Sequence, residues 1–107
     1  MANYLLAYHG GGGMAETPAA QAAAMAEWGK WFQDLGPAVV DGGNPVSKTQ
    51  IVMSAGKPVP EGAGSHPISG YSVIKADSME AAVKMVQGCP VLAAGGGIEV
   101  CETFNAM

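Results

Sequence analysis

The sequence predicts an α+β domain in which two strand–helix–strand crossovers share one antiparallel sheet, with both helices on the same face. Three observations predict it. Residues 70–90, GYSVIKADSMEAAVKMVQGCP, hold a strand-like run, a helix-capping pair, a helical apolar stripe and a stop. Residues 4–37 hold the same order of signals, from Tyr-Leu-Leu-Ala-Tyr-His to Gly36-Pro37. Finally, 107 residues with 49% apolar content make one ordered domain, spanning 1–107.

Tyr4 to His9 is the first strand. Alternation puts Tyr4, Leu6 and Tyr8 on one face and Leu5, Ala7 and His9 on the other. Both faces are largely apolar, so an inner strand covered on both sides is expected. Gly10 to Gly13 ends it. Thr17-Pro18 opens the first helix with an N-cap hydroxyl and a proline at N1. The Ala-rich run that follows has high helix propensity. Ala24, Trp28, Trp31, Phe32 and Leu35 form its apolar stripe, and Gly36-Pro37 stops it.

Ala38 to Asp41 is a short strand, followed by the turn cluster Gly42-Gly43-Asn44-Pro45. Thr49 to Ser54 is a further short strand, and Gly56 to Ser69 a surface loop. Tyr71 to Ala76 is the next strand. Asp77-Ser78 favours an N-cap, and Asp77-x-x-Glu80 has capping-box spacing. Met79, Ala82, Val83 and Val86 make the stripe of the second helix. Gly88 suits a left-handed C′ position and Pro90 prevents continuation. Ile98 to Phe104 is the last strand, with Ile98, Val100 and Phe104 on one face and Glu99, Cys101 and Thr103 on the other.

The resulting order is β-α-β(β)-β-α-β, with 38–41 and 49–54 forming a small hairpin or one bulged strand, and it is that of the ferredoxin-like arrangement. Its second sheet face carries no layer of its own, so a second copy of the chain is expected to cover it. A chain of this length buries only about 60–70% of its extended surface, which also favours assembly.

Composition excludes several functions. Net charge is −4 and the five basic residues are single, scattered lysines; there is no arginine. Nucleic-acid binding wants a basic stripe and bidentate arginines, so no nucleic-acid partner is expected. Cys89 and Cys101 are too few for a disulfide framework or zinc site, and no metal or other cofactor is expected. The first ten residues lack a signal-peptide pattern and no segment approaches ~20 apolar residues, so a cytoplasmic protein without a membrane partner is expected.

YLLAYHG, LGPAVVDGGNP, GYSVIKADSMEAAVKMVQGCP and GGGIEVCE together resemble the YCII-related (DGPF) family across nearly the whole chain. The resemblance implies a ferredoxin-like homodimer of the dimeric α/β barrel type. Some members of that family carry a His on helix one and an Asp near the following strand as an acid/base dyad, and the family's activity is largely unassigned. Helix one carries no His here; Asp41 lies near the family's Asp, and the DGPF tetrapeptide is absent, Asp41-Gly42-Gly43-Asn44-Pro45 resembling it at the first two residues or forming the related Gly-x-Asn-Pro turn.

His9, at a strand end beside a glycine run, can act as a general base; it can equally cap the strand end. Asp41 can orient His9 across neighbouring strands, or initiate an Asx-turn. Tyr8 and Trp28 are expected to line a cleft between helix one and the sheet. The Trp28, Trp31 and Phe32 face is otherwise core. Asn44 and Ser47 are polar contacts or turn formers. His66, beside Ser65 on the long loop, can close over the cleft. His9 before Gly10–Gly13 has the His-Gly-Gly-Gly pattern of esterase oxyanion loops but lacks their Gly-x-Ser-x-Gly elbow. The leading expectation is binding, with acid/base conversion, of a small molecule in a dimer-associated cleft. The alternatives are a regulatory interaction module of the sigma-factor-associated kind and a cofactor-free oxygenase of the dimeric barrel class.

Overall fold

A computed structural model describes residues 2–10, 17–49, 52 and 68–106. Its elements are β1 (Ala2–His9), α1 (Pro18–Leu35), β2 (Val39–Asp41), β3 (Ile68–Ala76), α2 (Met79–Val86), α3 (Pro90–Ala93) and β4 (Gly97–Glu102). A single 3₁₀ turn, Gly36–Ala38, links α1 to β2. The four strands form one antiparallel sheet in the order β2-β3-β1-β4, so the chain is an α+β protein compatible with the ferredoxin-like class.

Alternation sorts the sheet into two faces. Tyr4, Leu6 and Tyr8 of β1 and Ile74 and Ala76 of β3 are buried, and Trp31 of α1, Ala82 and Val86 of α2 and Val91 of α3 join them in one cluster. Ile98 and Val100 pack against the same cluster. On the other face, Leu5 pairs with Val73 on one side and Cys101 on the other; all three are partly or largely exposed and none belongs to that cluster. β1 is therefore the inner strand expected, and its covering helices lie on one side.

Both long helices start as their caps predict. Thr17 Oγ1 accepts from Ala20 N at 3.1 Å, with Pro18 at the first helical position. Ser78 Oγ accepts from Ala81 N at 3.1 Å, so Ser78 is the cap and the Asp77–Glu80 box does not form. The α2 stripe is rotated from the expected one. Ala82 and Val86 are buried with Ala81 and Met85 against them, while Met79 and Val83 are exposed. Gly88 does not take a left-handed conformation; α2 ends on a right-handed Gln87, and Pro90 starts α3 instead of merely stopping the helix. Gly36 does end α1 with φ +57° and an N–H donated to Phe32 O.

Boundaries shift in two strands. β3 begins at Ile68, so residues 68 and 69 belong to it and not to the loop. β4 ends at Glu102, leaving Phe104 exposed. Of the expected strand at 49–54, Thr49 is irregular and Val52 forms only a bridge; the rest lies outside the described residues, as do 56–67 of the loop. No helix among the described residues is long and apolar enough to cross a membrane.

The turn after β2 is clasped to β3. Tyr71 N donates to Asn44 O at 3.2 Å, Val46 N donates to Ser69 O at 2.9 Å, and Pro45 bridges to Gly70. Gly43 has φ +72°, and a Cβ built there would run into the Tyr71 carbonyl. Only glycine lets the turn approach this closely. Gly43→Ala is expected to cost about 3 kcal/mol by urea unfolding, combining strain with the clash. Gly42→Ala, which meets nothing, should stay within about 0.5 kcal/mol of the native protein.

Candidate functional site

The clasped turn, the C-terminal half of β1, the start of β3 and α1 enclose a cleft of about 760 Å³. That volume falls in the range of small-molecule pockets, roughly 300–1,000 Å³. Its aromatic side is built on Trp28. The Trp28 ring meets Tyr8 edge-on at 5.0 Å and Phe32 at 6.0 Å. Behind it, Trp31 is buried and its Nε1–H donates to Met85 O at 3.1 Å, which anchors α1 to α2.

The polar part of the site is a chain of hydroxyls. Tyr8 Oη–H donates to Ser72 Oγ at 2.7 Å, and Ser72 Oγ–H donates to Gly42 O at 2.7 Å. Tyr8, Ser72 and Gly42 all line the cleft. Ser72 is fully buried. It sits on β3 between Gly70 and Ile74 on the inward row, where a hydroxyl needs a partner on each side. Burial pushes the Tyr8 phenol up from 10.0 to about 12, against the opposing pull of the Ser72 bond, so the ring stays protonated at neutral pH. Burial likewise pushes the Cys89 thiol up to about 11 and leaves it unsuited to nucleophilic work.

Three expected site residues meet in the cleft: Tyr8, Trp28 and Asn44. His9 and Asp41 do not pair. β3 lies between their strands, and Asp41 stands opposite Val73 whereas His9 stands opposite Ile68. Asp41 Oδ1 accepts from Gly43 N at 2.8 Å, the Asx-turn reading. His9 follows Tyr8 on β1, so alternation turns it to the opposite face. There its Nε2 lies 2.6 Å from Oε1 of Glu99 on β4, beside a separate hollow of about 540 Å³ lined by Gly10 and residues 95–99. Ser47 is exposed and does not line the cleft. His66 lies outside the described residues.

Sequence reasoning missed Ser72, the Gly42 carbonyl and Glu99. A serine at an inward strand position between Gly70 and Ile74 was the available signal for the first. Glu99 sits diagonally from His9 across the β1–β4 pair, a contact that depends on register. Among the described residues no three His, Cys, Asp or Glu side chains gather as they would to hold a metal ion.

No family model matches the chain, and no curated protein matches it.

The hydroxyl chain behaves as a unit. Tyr8→Phe should cost about 1–2 kcal/mol, and Ser72→Ala about 2–3 kcal/mol because it strands both the phenol proton and the Gly42 carbonyl. The double variant should fall short of the sum by about 1 kcal/mol in urea unfolding, the coupling expected of residues in one network. Additive costs would mean the three groups act separately.

Proposed function

We propose that this chain is a YCII-like, ferredoxin-like protein of the cytoplasm that binds a small molecule in the cleft between α1 and the sheet, and that it works as a homodimer of the dimeric α/β barrel type. The observation that carries the reading is the cleft itself. Tyr8, Trp28 and Asn44 line it together, and a buried hydroxyl pair sits in its wall. Apolar rings for area and a few fixed polar atoms for orientation are the usual make-up of such sites.

Binding is favoured over acid/base conversion. His9 is turned away from the cleft, and burial moves the Tyr8 phenol further from the neutral range in which a general acid or base works. A dimer is favoured by the sheet face that the helices leave uncovered. Leu5, Val73 and Cys101 form an apolar strip across three strands, with Leu5 at 37% exposure. An apolar strip of this kind is a common mark of an association surface.

The cleft is tested by a thermal-shift screen of metabolites, repeated on Trp28→Ala. Hits should raise the Tm of the native protein and lose that effect in the variant; a hit unaffected by the substitution counts against the cleft, and a screen without hits favours the interaction module. Assembly is tested by sedimentation. The native chain should run as a dimer at micromolar concentration, and Leu5→Glu should run as a folded monomer by circular dichroism. A native monomer removes the dimer reading.

A further inference from the structure

We propose that the ligand of this cleft is an organic cation, a primary amine carried on an aromatic or alkyl skeleton. The proposal rests on the cleft reading above and adds the chemical class of the occupant.

The direction of the hydroxyl chain carries the first half of the argument. The Gly42 carbonyl can only accept, so Ser72 must donate to it. Ser72 Oγ then accepts the hydrogen bond that the Tyr8 hydroxyl donates. The phenol oxygen has no proton left to give, and towards any further partner it is an acceptor. A ligand that bonds this oxygen must bring the N–H or O–H itself.

Charge carries the second half. Among the described residues that line the cleft, Glu27 is the one charged side chain, and no Lys, Arg or His is among them. Among the described lining residues a carboxylate or phosphate would meet no counter-charge, and it would face Glu27. An ammonium would meet Glu27 and the hydroxyl oxygen as acceptors. It would also meet aromatic side chains in the lining, Trp28 and Phe32 among them, and aromatic rings attract cations. The net charge of −4 adds a long-range attraction of the same sign. Met25, Ala24 and Val91 then face the apolar skeleton.

Three nearly isosteric probes separate the possibilities: phenethylammonium, 2-phenylethanol and phenylacetate. Each is titrated at pH 7 and low salt while the Trp28 indole N–H is followed by NMR. Phenethylammonium should shift that signal saturably and bind about fivefold more tightly than the alcohol, the scale of a partly desolvated cation–π contact. Phenylacetate should bind more weakly than both. Glu27→Gln, at an exposed position that leaves the fold untouched, should weaken the ammonium about threefold and leave the alcohol unchanged. The proposal is overturned if phenylacetate binds as tightly as the ammonium, or if Glu27→Gln leaves the ammonium unaffected. If the alcohol matches the ammonium and both lose binding in Trp28→Ala, the cleft reading stands and the cation does not. No shift at Trp28 from any of the three overturns both.

Discussion

A hydroxyl buried in an apolar sheet must find partners or cost its full desolvation, and Ser72 finds one on each side. Tyr8 reaches it from β1 and Gly42 from the far end of β2, so one fully buried side chain ties together three segments distant in sequence. The turn after β2 can only be reached because Gly43 lets its backbone lie on Tyr71. The aromatic side of the cleft follows in turn, since Trp28 stacks edge-on against the Tyr8 ring that Ser72 holds. Hydrogen-bond satisfaction at one strand position thus sets the shape of the cleft's floor.

The two-residue period of β1 divides the chemistry of the molecule. Tyr8 and His9 are neighbours in sequence and belong to opposite surfaces. The helix side has the aromatic cleft and its ordered hydroxyls. The open side has His9 beside Glu99, and the Leu5, Val73 and Cys101 strip further along the same face. The candidate cleft and the exposed apolar strip therefore lie on different faces of the same four strands, and a substitution on one face can leave the other intact.

Local signals in the chain read well because their physics is local. Thr17-Pro18 caps α1, Ser78 caps α2, and the alternation in β1 names Tyr4, Leu6 and Tyr8 as core. Crossover logic was enough for the antiparallel sheet, because strand–helix–strand units leave few ways to order four strands. The site was legible in part. Tyr8, Trp28 and Asn44 could be named from one-dimensional reasoning about faces and turns, whereas the pairing of His9 with Asp41 needed the strand order, and that order puts β3 between them. Glu99 needed the β1–β4 register as well. The rotated stripe of α2 has a similar origin: periodicity allowed Met79 and Val83, and packing against β3 and β4 chose Ala81 and Met85.

Along α1, Trp31 is the one buried residue, and positions 18–27 are all exposed. Those first turns rest on the Thr17 cap and on alanine's backbone preference, and isolated helical segments of that length are marginal in water. Backbone amides should therefore exchange with deuterated solvent along a gradient, fast near Pro18 and slow beyond Trp31. Because Gln21, Ala24 and Met25 line the cleft, fraying of these turns would widen it. A ligand seated against Trp28 would find its doorway in the unwinding of a helix, with no hinge required.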